Sequence, residues 1–175
     1  MYLQDTGTDF AFLNNLPGKK LLLKGNHDYW WSTVTRMRHY LKEQGFSNID
    51  FIYNNSYEWE QTIITGTRGW NLIEQTSEDE KIFARELERL KRSLQDGRNK
   101  YGQNKPMIAC MHYPPIKEGE ISDFVRVMME YRVTTCLYGH LHGPSQKFVI
   151  QGNHYGIDFK MVSCDYTGFQ LIKIN

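Results

Sequence analysis

Short apolar runs alternate with amphipathic segments along most of the chain, which is the pattern of an α/β protein. Three consecutive leucines in residues 20–24 predict a strand that is buried on both faces. Residues 29–44 then carry apolar side chains at steps of three and four and predict an amphipathic helix that ends at Gly45. The apolar positions of this helix are Trp30, Val34, Met37 and Leu41.

The remaining elements follow from the same kinds of pattern. Helices are predicted for residues 9–16, 77–95 and 123–131, and strands for residues 49–53, 57–65, 107–111 and 134–138. Asn54 and Asn55 mark a turn between two of these strands, and further strands are expected up to about residue 174. A capping box of Ser77 and Glu80 opens the second long helix, and Gly97 closes it.

Composition predicts one ordinary globular domain that spans residues 1–175. Apolar residues make up 40% of the chain and charged residues 23%, with a formal net charge of +1. This balance, without a basic patch interleaved with aromatic residues, does not favour a nucleic-acid-binding module or an acidic membrane surface as partner. The three cysteines are widely spaced, which favours reduced thiols buried in strands over disulfides or a zinc knuckle. The polar start of the chain does not resemble a signal peptide, and we expect a cytoplasmic protein.

Polar side chains with metal-binding chemistry follow three of the predicted strands. They are Asn26, His27 and Asp28 after the first, His112 after another, and His140 with His142 after a third. Loops at the carboxyl ends of strands in an open α/β sheet converge on one crevice. Neutral imidazole binds Zn, Mn and Fe ions, and an amide oxygen suits harder cations. Each residue alone is more often structural, but together they predict a metal site.

The spacing of His140 and His142 leaves two arrangements open. Side chains two residues apart in an extended segment point to opposite sides. Either a loop turns both histidines inward, or they serve two different ions. His39 lies in the middle of a predicted helix and His154 in a hairpin-like stretch, and both are expected to be surface residues.

These motifs resemble the last three signature blocks of the calcineurin-like metallophosphoesterases. The blocks are Gly25-Asn26-His27-Asp28, the strand that ends in His112, and Gly139-His140-Leu141-His142. They match in order and spacing over essentially the whole chain. The segments LPGKK, GNHDYWW and VSCDY also resemble a bacterial subfamily of predicted phosphohydrolases. The resemblance implies a four-layer α/β/β/α sandwich and a metal-dependent phosphoester hydrolase, either a phosphomonoesterase or a phosphodiesterase.

The resemblance also implies roles for individual residues. Asn26, His112 and His140 would bind one divalent ion, and His142 would bind the other. His27 would donate a proton to the leaving group, with Asp28 orienting it. Two ions, drawn from Mn, Fe, Zn or Mg, would activate a hydroxide for attack on a small-molecule or phosphoprotein phosphoester.

One departure from the family bears on activity. The family's first two blocks, an Asp-x-His and a Gly-Asp pair, do not occur in this sequence. Met1 is in register with the end of the subfamily's second block, so the resemblance implies a truncated chain that lacks the first strands of the sandwich. The sheet edge thereby exposed would offer a surface for self-association.

Counting the remaining ligands predicts weak metal binding. Three of the four protein ligands of one ion remain and only one of the other's, so we expect at most one loosely held ion. The alternative to an active hydrolase is a catalytically inactive truncated remnant that binds metal or phosphate weakly or needs a partner segment.

Overall fold

Two β-sheets form the framework of the protein. The computed structural model describes residues 3–72 and 76–174, so Met1 lies outside the described residues. In the smaller sheet, β1 (Lys20–Leu22) pairs in parallel with β2 (Ile49–Phe51). The larger sheet has the strand order β3-β4-β5-β6-β8-β7. Its strands are β3 (Tyr57–Trp59), β4 (Thr62–Thr67), β5 (Met107–Met111), β6 (Thr135–Tyr138), β7 (Gly152–His154) and β8 (Ile157–Met161).

Helices flank the sheets and confirm the mixed α/β class. They are α1 (Gly7–Asn15), α2 (Val34–Glu43), α3 (Ser77–Tyr101) and α4 (Asp123–Glu130), with short 3₁₀ helices at Leu3–Thr6 and Gly143–Phe148. One apolar core packs α3 and α4 against the larger sheet, and a second joins α1 and α2 to β2. Within the described ranges, no helix is both long and apolar enough to cross a bilayer.

The register of the larger sheet brings four strand ends to one edge. The strands β4, β5, β6 and β8 are parallel, and their last residues pair with one another in sequence. These pairs are Thr67 with Met111, Met111 with Tyr138, and Tyr138 with Met161. The segments that follow the four strands therefore begin side by side, and they contain His112, His140, His142 and the residues after Met161.

Two glycines allow close contact within the core around the larger sheet. A Cβ atom at Gly66 would lie 2.2 Å from the carbonyl oxygen of Cys110 on the adjacent strand. A Cβ atom at Gly97 would lie 2.7 Å from Cγ2 of Ile63. Gly97 is thus a buried packing position inside α3 and not its end, since α3 continues to Tyr101.

Two helices begin at residues other than the predicted ones, because N-terminal capping residues set where each helix starts. The second helix begins at Val34, after a cap in which the Thr33 hydroxyl accepts a hydrogen bond from the Arg36 N–H at 3.3 Å. Residues 29–31 instead continue the preceding turn. In α3 the capping box is formed by Thr76 and Asp79, one residue before the predicted pair.

Three strand predictions need correction. Residues 57–65, predicted as one strand, are divided into β3 and β4 by a hairpin turn, and β2 pairs with β1 and not with either of them. The turn residues, Glu60 and Gln61, have φ angles of 45° and 69°, as two-residue hairpin turns require. Residues 162–174 contain no strand, although strands were predicted there. The leucines of residues 21–23 are half-buried, since β1 has one pairing partner in the described part of the chain.

The cysteine prediction is confirmed in part. All three thiols are free, and Cys110 and Cys136 lie in β5 and β6, with Cys136 buried and Cys110 partly buried. Cys164 is exposed and lies outside the strands, so the expectation of a buried position is wrong for this residue. His39 and His154 are exposed, as predicted.

Candidate metal centre

Backbone hydrogen bonds join the strand-end segments at the carboxyl edge of the larger sheet. The His112 N–H donates to the carbonyl of Arg68 at 3.1 Å, which ties the ends of β5 and β4 together. The Gly139 N–H donates to the carbonyl of His112 at 3.2 Å and adds the end of β6. His112 is therefore held from both sides by the strands that flank it.

Three potential ligand atoms meet at His112. Its Nε2 atom lies 2.7 Å from Oδ1 of Asn26 and 3.1 Å from Nδ1 of His140. The two imidazole rings meet edge to face, with their centroids 4.9 Å apart. An amide oxygen and two imidazole nitrogens thus converge from three separate segments, and this donor set suits a divalent transition metal.

The backbone of the loop after β6 separates its two histidines. His140 has a φ angle of 72°, a left-handed conformation that is uncommon for a residue other than glycine. The Leu141 N–H donates to the carbonyl of Gly139 at 2.9 Å and closes a tight turn. The turn directs His140 toward His112, whereas His142 makes its side-chain contact elsewhere.

Burial keeps the two inward-facing histidines neutral. It lowers the pKa of His112 to about 4, with a further lowering from the nearby His140. Burial also lowers the pKa of His140, and the proximity of His142 and His27 adds to the effect. Both rings are therefore uncharged at neutral pH, and the neutral ring is the form that binds metal ions.

The turn after β1 is held by Asp28. Its carboxylate accepts hydrogen bonds from the Gly25 N–H at 2.5 Å and from the Trp30 indole N–H at 3.2 Å. A Cβ atom at Gly25 would lie 3.2 Å from Cε1 of His112, so glycine permits the close approach of that ring. In the described residues no hydrogen bond joins Asp28 to His27. Asp28 thus shapes the turn that carries His27, and its role in orienting that residue stays a prediction.

His27 and His142 both lie at the exposed periphery of the site. His27 is exposed, with its ring centroid 6.1 Å from that of Tyr29. The Nδ1 atom of His142 lies 2.7 Å from Oδ1 of Asp165, and the His142 side chain is 57% exposed. Hydrogen bonds from the Gly143 N–H and from His142 lower the pKa of Asp165, so this carboxyl group is ionised at neutral pH.

The contact of Asp165 with His142 was not predicted from the sequence. Asp165 lies in the VSCDY segment, whose predicted significance was only its resemblance to a bacterial subfamily. Its position four residues after the end of β8 is comparable to that of His142 after β6. Because β6 and β8 pair in parallel, a strand-end argument extended to β8 would have found it.

A known family matches most of the chain. A family model described as calcineurin-like phosphoesterase matches residues 4–144, which include Asn26, His27, His112, His140 and His142. A solved crystal structure superimposes with a TM-score of 0.47 at 12% sequence identity, covering 79% of this chain and 57% of that chain. The search of curated proteins returned no match.

Proposed function

The chain belongs to the calcineurin-like phosphoesterase family, and on that premise we propose that it hydrolyses a phosphomonoester or phosphodiester with the help of divalent metal ions. Membership of the family implies metal-dependent phosphoester hydrolysis. The observation that most directly supports the proposal for this chain is the convergence of Asn26 Oδ1, His112 Nε2 and His140 Nδ1. His27 lies near this group, where it would serve as the proton donor to the leaving group.

The three converging side chains fit a metal ion in both charge and donor type. Asn26, His112 and His140 are uncharged at neutral pH, so none of them repels a cation. Two nitrogens and one oxygen favour Mn, Fe or Zn over Mg, which prefers oxygen ligands alone. A bound divalent ion would polarise the phosphoryl oxygens and lower the pKa of a nearby water.

His27 would supply the proton for the leaving group, on a turn that Asp28 holds. His27 is exposed, yet it lies close enough to His140 to affect the pKa of that residue. An imidazolium at this position would hold a proton where a departing alkoxide can accept it. Asp28 acts on the shape of the turn that carries Asn26 and His27, through its hydrogen bonds to Gly25 and Trp30.

A non-catalytic role is the competing function, and one observation favours it. The sequence contains neither an Asp-x-His nor a Gly-Asp pair, the family blocks that supply a bridging carboxylate. A chain with only the Asn26, His112 and His140 ligands would bind a metal ion or a phosphate weakly, without turnover.

Turnover measurements separate the two functions. We expect the purified chain to release 4-nitrophenol from bis(4-nitrophenyl) phosphate or 4-nitrophenyl phosphate when Mn²⁺ is added, and to stop when the metal is chelated. His140→Ala is the matched control, because it removes one of the three ligands at an accessible loop position. Mn²⁺ binding with turnover no faster than that of His140→Ala would establish the non-catalytic alternative.

Replacing His27 with alanine is expected to slow hydrolysis in a way that depends on the leaving group. General acid catalysis contributes about 10²-fold or more when the leaving group is a poor one, such as an alkoxide. Nitrophenolate leaves readily without a proton, so we expect less than about a tenfold effect on nitrophenyl esters. The comparison is kcat for alkyl and nitrophenyl phosphoesters in His27→Ala and in Tyr29→Ala, which alters the exposed neighbour on the same turn. Equal slowing of both substrate classes would rule out His27 as the proton donor.

A further inference from the structure

A second group of potential metal ligands lies beside the first and shares none of its members. His142, Cys164 and Asp165 each offer one ligand atom, and the three atoms lie within 4.8 Å of one another. We propose that these residues bind a divalent ion of the zinc type. The proposal does not rest on phosphoester hydrolysis, since it follows from the ligand set alone.

Strand pairing brings the three residues together. His142 follows β6, Cys164 and Asp165 follow β8, and the last residues of these strands, Tyr138 and Met161, are paired. The two segments are far apart in sequence, so the group exists only in the folded chain. Metal binding at this position would therefore also stabilise the fold.

Hydrogen bonds from the surrounding loops fix the ligand-bearing residues. The His142 N–H donates to the Ser145 hydroxyl at 2.9 Å, and that hydroxyl donates to the His142 carbonyl at 2.7 Å. The second oxygen of Asp165 accepts from the Gly143 N–H at 3.0 Å and from the Gln146 side-chain N–H at 2.9 Å. The other carboxylate oxygen contacts Nδ1 of His142 at 2.7 Å, and an ion bound by both residues would replace this contact.

The donor types select among metals. An imidazole nitrogen, a thiolate and a carboxylate are the three classes of ligand that Zn²⁺ takes, and two negative charges match its charge. Bonds of about 2.0–2.3 Å in a tetrahedral site place neighbouring ligand atoms about 3.5 Å apart. Cys164 is exposed and its side chain makes no hydrogen bond among the described residues, so rotation about its Cα–Cβ bond can shorten the spacing from the present upper limit of 4.8 Å. Mg²⁺, which favours oxygen ligands, and Mn²⁺, which has a lower affinity for thiolate than Zn²⁺, would bind this group less well.

The proposal changes the assignment of His142. The resemblance makes His142 the only remaining ligand of the second ion, with its partners in the two absent blocks. The structure supplies two further donors from this chain, and both lie beyond residues 4–144, which the family model matches. The Nδ1 atom of His142 contacts Asp165 rather than the group formed by Asn26, His112 and His140.

Cobalt is the sharpest probe because only one of the two groups contains sulfur. We expect Co²⁺, added to the reduced protein, to give a thiolate-to-cobalt charge-transfer band in the near ultraviolet at one equivalent or less. Cys164→Ser should remove this band and weaken Zn²⁺ binding by at least about tenfold, and Asp165→Asn should weaken it by a similar factor. Cys110→Ala is the matched control, since it removes a thiol inside β5 and should leave the band unchanged.

The outcomes separate this site from the proposed hydrolase centre. His112→Ala should retain the cobalt–thiolate band, and Cys164→Ser should retain Mn²⁺ binding at the other group. No band in the unmodified protein, or a band that survives Cys164→Ser, would overturn the proposal and leave Asp165 as a hydrogen-bonding link between two loops. Circular dichroism of each variant confirms that a lost band reflects a lost ligand, because Cys164 is exposed and its replacement should leave the fold intact.

Discussion

Replacing His112 with alanine is expected to weaken Mn²⁺ binding at the group formed by Asn26, His112 and His140 by at least about 10²-fold. His112 is the member that contacts both of the others, at 2.7 Å and 3.1 Å. Changes to residues that only support a ligand cost about 10–100-fold in metal affinity, so loss of the central ligand should cost at least the upper end of that range. Metal-dependent turnover should fall with the bound ion.

Electron paramagnetic resonance of free Mn²⁺ measures this loss directly in a titration. His154→Ala is the matched control, because His154 is exposed and its ring contacts only the carbonyl of Gln151 among the hydrogen bonds of the described residues. Mn²⁺ affinity in His112→Ala that stays within about threefold of the unmodified protein would show that the converging atoms do not form a metal site.

The placement of the Asn26, His112 and His140 group was predictable from the sequence because strand ends were recognisable. The apolar run at Met107–Met111 was predicted with the bounds that the structure has, and His112 follows it directly. Parallel pairing of β5 with β6 then places His112 next to the loop of His140. Hydrophobic periodicity indicates where each strand ends, and the alternation of strands and helices favours their parallel pairing.

The separation of the two ligand groups was not predictable from spacing. His140 and His142 could have faced one ion or two, and the choice depends on the left-handed backbone at His140. The partners of His142 come from the segment after β8, more than twenty residues away along the chain. Residues 162–174 were expected to be strand, and a strand would not have carried Cys164 and Asp165 into a loop beside His142.

The sequence pattern of α3 predicts its apolar face but not the buried glutamate that lies on the same side. The apolar stripe of Phe83, Leu87, Leu90 and Leu94 marks the side that packs on the larger sheet. Glu86 lies three residues after Phe83 and four before Leu90, which places it on the same side of the helix. Its side chain is only 1% exposed, although glutamate is rarely buried without charged partners.

Those partners make Glu86 the centre of a buried charge cluster. One carboxylate oxygen accepts from the Thr67 hydroxyl at 2.8 Å, and the other lies 2.6 Å from Nη1 of Arg89 and 3.6 Å from Nη2 of Arg68. Lys24 lies near the same cluster. Burial lowers the pKa of Lys24, and the charges of Arg68 and Arg89 lower it further. Glu86 is therefore the acidic group that compensates several cations between the end of β1 and the end of β4.

Replacing Glu86 with alanine is expected to lower the free energy of unfolding by about 3–5 kcal/mol, the cost of leaving buried charges without their partner. Glu86→Gln keeps the size and the hydrogen bond to Thr67 but loses the charge, so its effect should be smaller. Urea-induced unfolding measures both variants, with Glu88→Ala as the matched control two residues along the same helix. Glu88 is 58% exposed and pairs with Lys91 at 2.9 Å, so its removal should change the stability by no more than about 0.5 kcal/mol.

Glu86→Ala should also affect metal binding, because Arg68 links Glu86 to the backbone of His112. Glu86 contacts the guanidinium of Arg68, and the Arg68 carbonyl accepts the backbone N–H groups of His112 and Tyr113 at 3.1 Å and 2.9 Å. Without Glu86, the Arg68 guanidinium loses this carboxylate and keeps its stacking on Trp70, so the strand end that holds His112 is held less firmly. We therefore expect Glu86→Ala to weaken Mn²⁺ binding under conditions where the variant is still folded, whereas Glu88→Ala should not.

A Glu86→Ala protein with unchanged stability would show that the cluster contributes nothing to the fold. Lower stability with unchanged Mn²⁺ affinity would confine its role to joining the two sheets.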